Sequence, residues 1–270
     1  MSMLTKSLKS TWRMCVSVGY AGTCKLTALA GRRGPSRTCQ VPGLQKLVAE
    51  HLTQSKTGSF VEVGAYDGER FSNTSWLADN GWRGVYIEPS AEFSRLCRLR
   101  HCLNDVRVLN VAAGETESEA TLMQVGSLST MSSETFDEYG RIPWAKTQIQ
   151  KNCQKKTTQI RPLHDLLTET GCKPGFELLV VDVEGYEENV FRGFDLARWS
   201  PGMIIVELCD AHPDFADNTA LIQSAARVRQ KIVAAGYKEV YRDEINTVFR
   251  RMSAAADQAK ETSGLSRRAA

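Results

Sequence analysis

The chain has no run of about 18 apolar residues anywhere in its 270, so it offers no candidate transmembrane helix. Its eight cysteines form no C-x-x-C pair and no Cys/His group of zinc spacing, which points to small, partly buried thiols in a reducing compartment. Cys97 and Cys102 stand five apart on an expected helix, on different faces rather than bridged. There is no internal repeat and no G-x-G-x-x-G. Residues 1–49 contain no acid. They hold eight Lys or Arg, so with a net charge of +3 the rest of the chain carries 3 − 8 = −5. The body is therefore mildly acidic, and no nucleic-acid partner is expected for it.

What is present, 42% hydrophobic and 24% charged residues, is the composition of a globular protein with a sizeable core. The acid-free leader, residues 1–41, is rich in Ser, Thr and Arg, the composition of an organellar (mitochondrial or plastid) transit peptide. Two alternatives stay open. Met14 to Cys24 with Ala28-Leu29-Ala30 offers a weak secretory pattern, and the leader can also be a disordered basic arm on a cytoplasmic protein. In each case it is expected outside the fold, with Arg32 and Arg33 as leader charge only. The domain is expected over 42–252, and the aromatic-free tail from Ser253 is expected to be disordered.

Within the domain, apolar runs alternate with helical periods. A helix over 42–53 precedes strand 59–63, helix 71–79, strand 84–88, helix 90–100 and strand 106–111. "SEATLMQV" and "KTTQIRPL" read as further strands, flanking a polar insert near 125–156 that has no clear period. The alternation resumes with "FELLVVDVEG", a helix near 186–192, "GMIIVEL" and a helix over 219–235 stopped by Gly236. "YKEVYRD" and "NTVFRR" close it as an antiparallel hairpin. This is an α/β pattern with a mostly parallel sheet and crossover helices.

In such a sheet ligands bind beyond the carboxyl ends of the strands. The polar residues fall there: the turn Glu62, Gly64, Ala65, Asp67 and Gly68, then Glu88, Asn110, Asp182 with Glu184, and Glu207. Glycines allow a close backbone approach to a ligand. Glu88, twenty residues beyond Gly68, stands where an acid accepts hydrogen bonds from a ribose diol and disfavours a 2′-phosphate. Carboxylates at Glu62 and Asp67 would repel a pyrophosphate and attract a sulfonium or ammonium. The sign of the charge favours S-adenosylmethionine over an NAD-type cofactor.

The segments "FVEVGAYDGE", "GWRGVYIEPS", "VLNVAAGE", "LLVVDVEGYEENVFRGF" and "IIVEL" resemble, in order and approximate spacing, the FkbM family of S-adenosylmethionine-dependent methyltransferases. The resemblance covers about residues 58–208. It implies a class I (Rossmann-like) methyltransferase sandwich, a seven-stranded sheet with the last strand antiparallel, and methyl transfer to oxygen of a small molecule or glycan. By position it implies that Glu62, Gly64 and Gly68 line the methionine part of the cofactor and Glu88 the ribose. Asp182 and Glu184 fall at the mouth near the methyl group. Tyr66 departs from the family pattern, where Asn is frequent, and so does His164, where an acid is frequent.

Asp182 or Glu184 can serve as base or substrate-orienting group, which is the expectation, or jointly hold a divalent cation; no metal motif is complete. Glu207 and Asp210 are open between substrate contact and loop solvation. His51, His101 and His212 read as surface residues, with His212, in "CDAHPDF" just after the fifth strand, also open to substrate contact. Tyr139 and Trp144 in the insert are open between packing and a substrate lid. Two other functions remain to be weighed: a non-catalytic partner-binding or trafficking module on the same fold, and an NAD-dependent oxidoreductase.

Overall fold

The computed structural model describes residues 3–52 and 57–252, with side chains from Val16 onward. In chain order the helices are α1 (Met3–Leu29), α2 (Leu44–His51), α3 (Ser75–Asp79), α4 (Ala91–Arg100) and α5 (Ser133–Tyr139), then α6 (Pro143–Asn152), α7 (Leu163–Glu169), α8 (Glu187–Arg192), α9 (Leu196–Trp199) and α10 (Thr219–Ala234). The strands are β1 (Ser59–Val63), β2 (Arg83–Ile87), β3 (Val106–Leu109), β4 (Ala112–Gly114), β5 (Ser118–Gln124), β6 (Gln154–Pro162), β7 (Leu178–Val181), β8 (Met203–Glu207), β9 (Tyr237–Arg242) and β10 (Asn246–Arg251).

Seven strands form one sheet in the order β3-β2-β1-β7-β8-β10-β9. Five are parallel to their neighbours through β8, and β10 runs antiparallel to both β8 and β9. This is the expected α/β sheet with its last strand antiparallel. Order reverses at β1 and β7, which places a crevice at their carboxyl ends.

Alternate residues of each central strand feed different cores. Val61, Val63, Leu179, Val181, Ile204 and Val206 join α7, α8 and α10 on one face. Phe60, Leu178, Val180, Met203 and Ile205 join α2 and α3 on the other. Burial on both faces is why these strands read as continuous apolar runs rather than alternating ones. Each such side chain contributes on the order of 1.5–3 kcal/mol by leaving water. Ser90 caps α4 by accepting from the Phe93 amide (3.4 Å), and Asn218 caps α10 by accepting from the Leu221 amide (3.0 Å).

Three expectations are corrected. First, the leader does not lie apart from the fold from Val16 onward: Ala21 and Cys24 are buried, and Arg33 pairs with Asp79 (2.8 Å) and Glu69 (3.0 Å). Arg100 completes the network by donating to Asp79 (2.6 and 3.0 Å) and Glu69 (2.8 Å), so Arg33 is structural rather than free leader charge. Second, the insert, which shows no clear period in sequence, folds largely into helices. Helices α5 and α6 enclose their own small core of Val125, Leu128, Tyr139, Ile142, Ala145 and Phe215, and β4, β6 and β5 form a separate three-stranded sheet. Third, His101 is buried, stacked on Tyr86 at 4.7 Å, with Nε2 donating to the Gly68 carbonyl (2.8 Å). Burial, then the neighbouring Arg100, pushes its pKa down to about 4 and keeps it neutral.

The helix expected from residue 71 starts only at Ser75, because Ser72, Asn73 and Thr74 spend their donors on Glu62. The tail expected to be disordered lies outside the described residues.

Candidate active site

A cavity of about 410 Å³ opens at the carboxyl ends of β1, β2, β7 and β8. Its floor is the turn after β1. Gly64 has φ +88°, and a Cβ there would overlap the backbone carbonyl oxygen of Asp182, so β1 and β7 approach each other as only glycine permits. Five non-glycine residues among those described hold positive φ: Tyr66, Phe71, Glu184, Ser200 and Cys209. All but Ser200 line this cavity. Backbone strain held at one place by its surroundings is a mark of a functional site.

Five acids reach the wall: Glu62, Glu88, Asp182, Glu184 and Glu207. Glu62 is buried and accepts from Ser72 Oγ (2.9 Å), the Asn73 amide (3.2 Å) and Thr74 Oγ1. Burial raises its pKa to about 7 against the pull of those donors. Glu88 accepts from the Tyr66 amide (2.9 Å) through one oxygen and the Ser90 amide (2.8 Å) through the other, and burial raises it to about 8. Each of its oxygens keeps a lone pair for a ligand.

The loop after β7 carries Asp182 and Glu184. Glu187 holds its shape: its carboxylate accepts from the amides of Val183 and Gly185, both at 3.1 Å. The insert clamps the same loop. Tyr139 donates its phenol to the Glu184 carboxylate, and Thr130 Oγ1 donates to the Glu184 carbonyl (2.7 Å). Burial, then the charge of Asp182, pushes both Glu184 and Glu207 well above the ordinary carboxylate range. Asp182, Glu184 and Glu207 each present an oxygen within 4.8 Å of the others. Sequence reading found no complete metal motif because Glu207 comes from a different strand, β8.

The structure thus brings Glu62, Gly64, Ala65, Glu88, Asp182 and Glu184 to one cavity. It sets Asp67, Gly68 and Asn110 apart from the cavity wall. Asp67 accepts from the amides of Glu69 (3.1 Å) and Arg70 (2.8 Å) and pairs with the Arg70 guanidinium (2.6 Å), so it shapes the turn. Gly68 makes room for packing, since a Cβ there would lie 2.8 Å from Cys97 Sγ and 2.9 Å from the His101 ring. Asn110 donates to the carbonyls of Glu88 (3.0 Å) and Pro89 (2.9 Å) and anchors the loop after β2. Tyr66 turns its ring against Phe93 at 4.4 Å, edge to face, and forms wall rather than plug.

Residues that sequence reasoning left out are Glu187 and Phe93, whose helical neighbours disguise them. Tyr139 and Trp144 both line the cavity, Trp144 half exposed, with its indole donating to Asp214 (3.3 Å). His164 lies away from it, accepting from the Trp199 indole (3.0 Å).

The residues fit an adenosyl cofactor with a cationic sulfur: a glycine cradle, an acid at the end of β2 with free lone pairs, and a wall whose one Lys or Arg, Arg70, is tied to Asp67. Sheet order and the position of the site are those of the class I methyltransferase fold. Residues 62–239 match the family described as Methyltransferase FkbM domain, and the chain belongs to that family. The Methyltransferase 1 of Beauveria bassiana (strain ARSEF 2860) is 35% identical over 78 residues, covering 28% of this chain and 31% of that protein. The match therefore spans about a third of the relative's length. Among solved structures, an O-methyltransferase from Bacillus cereus in complex with SAH is similar at 16% identity, with a TM-score of 0.44, over 86% of this chain and 91% of that one. The SAH-bound methyltransferase PaMTH1 of Podospora anserina is similar at 11% identity and a TM-score of 0.45, over 94% and 97%.

Proposed function

We propose that this chain moves a methyl group from S-adenosylmethionine to a hydroxyl oxygen of a small molecule or glycan. The observation that carries the reading is the make-up of the cavity wall: five carboxyl groups and, among the described residues, one Lys or Arg, which is already paired. Buried carboxyls that hold protons in the empty cavity ionise when a positive sulfur enters beside them, and they offer a phosphate no positive partner. When bound, the cofactor supplies a methyl group activated by positive sulfur.

The chain's own residues do the rest. Glu88 would accept the ribose hydroxyls, the Gly64–Ala65 backbone would approach the methionine end, and Glu62 would hold the floor rigid through its three donors. Asp182 and Glu184 at the mouth would orient the acceptor hydroxyl and take its proton. The raised affinity of Glu184 for protons suits it to that task. Tyr139 and Trp144 would close the acceptor side and exclude water. For the leader, the acid-free composition of residues 1–41 supports an organellar address, while the packing of Ala21, Cys24 and Arg33 supports retention of the segment from Val16 onward.

Isothermal titration tests the cofactor reading. S-adenosylhomocysteine is expected to bind with one site per chain and NAD not to bind. Binding of NAD in place of the adenosyl ligand would overturn it.

A further inference from the structure

We infer that Asp182, Glu184 and Glu207 hold one hard divalent cation, of the Mg2+ or Mn2+ class, where the cavity meets the ends of β7 and β8. The site stands on geometry; its use, orienting and acidifying an acceptor hydroxyl, rests on the methyl-transfer reading above.

The three carboxylates come from two strand ends and one strained turn, and each places an oxygen within 4.8 Å of the other two. Clustered acids alone would say little, since acids at strand ends are common. The second observation is the state of Glu207. Its side chain belongs to a residue only 8% exposed, and among the described residues its Oε2 has no hydrogen-bond donor, while the Asp182 carboxyl lies within hydrogen-bond reach of the Glu207 carboxyl. Its other oxygen accepts from Cys209 Sγ at 3.1 Å. The other fully buried acids of the cavity wall have a donor on each oxygen: Glu62 from Asn73 on one and Ser72 and Thr74 on the other, Glu88 from Tyr66 and Ser90. A buried carboxylate oxygen without a donor is costly, so the exception calls for a ligand.

A cation meets that need and the crowding of three carboxyls together. Arg70, the cation in the cavity lining, is held by Asp67 and serves the opposite side of the turn. A divalent ion between three carboxylates cancels most of their mutual repulsion, whereas a water molecule would leave it in place. The donor set is oxygen throughout, which selects Mg2+, Mn2+ or Ca2+ over zinc and copper. Supports outside the ligands match those of a metal site. Tyr139 donates to one oxygen of Glu184, Glu187 fixes the loop between Asp182 and Glu184, and Thr130 holds the Glu184 carbonyl. Three protein carboxylates leave coordination positions open toward the cavity. An acceptor hydroxyl entering one of them would lose its proton at lower pH than in water.

The probe is Mn2+, followed by the loss of the free-ion electron paramagnetic resonance signal on titration of the full-length chain freed of metal with a chelator. One ion per chain is expected, with binding weakened roughly tenfold to a hundredfold in Glu207→Gln and again in Asp182→Asn. Thermal melting and S-adenosylhomocysteine titration of the same variants separate a lost ion from a lost fold. No uptake at about 1 mM Mn2+ overturns the inference. So does uptake that is unchanged in both folded variants, and Asp182 and Glu207 then share a proton instead. Mn2+ uptake without adenosyl binding would uphold the cation and sink the cofactor reading; adenosyl binding without Mn2+ uptake would do the reverse.

Discussion

Gly64 lies so close to Asp182 that any side chain at position 64 would run into the Asp182 carbonyl oxygen. Two strand ends that are over a hundred residues apart in sequence meet there, and the floor of the cavity is the result. Gly236 supplies a control. It has the same φ, +88°, but nothing among the described residues within 4 Å of its would-be Cβ. Gly236→Ala is expected to cost about 1 kcal/mol from backbone strain alone. Gly64→Ala adds a backbone clash and is expected to cost more than about 3 kcal/mol and to abolish adenosyl binding. Urea denaturation of both variants measures the difference, and equal costs would contradict the close approach.

Glu88 ties ligand affinity to pH. Its folded pKa is near 8, raised first by burial, and only the ionised form accepts both ribose hydroxyls. Affinity for S-adenosylhomocysteine, which lacks the charged sulfur, is therefore expected to rise as pH increases from about 7 to 9. In Glu88→Gln the affinity should fall roughly tenfold and lose that dependence. Calorimetry across the pH range checks both.

Stability without ligand should run the other way. Glu62 and Glu88 start from 4.5 and reach about 7 and about 8 in the folded chain, so between those values the folded state holds protons that the unfolded state has released. Their contribution is full below pH 4.5 and is lost as pH rises through 7 and 8. His101, lowered from 6.5 to about 4, opposes them at the acid end: its contribution is present above 6.5 and lost as pH falls toward 4. With chelator present, melting temperature is expected to decline from pH 6.5 to 8. Glu62→Gln should flatten the part of that decline below 7, as scanning calorimetry would record.

Arg33 should matter for folding although it sits in the leader. It donates to Asp79, whose side chain is fully buried, and to Glu69. Arg100 remains to partner both acids, so Arg33→Ala is expected to destabilise by about 1–3 kcal/mol rather than by the full cost of an unpaired buried charge. Removal of residues 1–41 should cost more, since the burial of Ala21, Cys24 and Val41 against the rest of the domain is lost as well. Urea melts of both forms measure this, and N-terminal sequencing of protein from its source should find no cut beyond Val16.

The parts of the site legible in sequence were those carried by short segments. Strand, turn and acid are contiguous in "FVEVGAYDGE", in "VYIEP" and in "VVDVEG", so Glu62, Gly64, Ala65, Glu88, Asp182 and Glu184 could be placed at strand ends from local pattern. Asp67, Gly68 and Asn110 sit in the same segments, yet their side chains and spaces face the turn, helix α4 and the loop after β2. Pattern gives the strand end but not the direction of each side chain beyond it. The insert defeated periodicity because α5 and α6 bury only a narrow stripe, Thr135, Tyr139 and Ala145, against a core of six residues.

The sequence by itself determined the alternation of strands and helices, the acids at strand ends and the family, because periodicity, glycine turns and contiguous motifs are local properties of the chain. Tertiary structure alone decided three things: that Glu207 joins Asp182 and Glu184, that Tyr139 reaches back to Glu184, and that Arg33 finds Asp79 forty-six residues away. Each is a meeting of charged or polar groups from distant segments. Their energies depend on burial and on which partner lies within about 3–4 Å, quantities that exist only once the chain has folded.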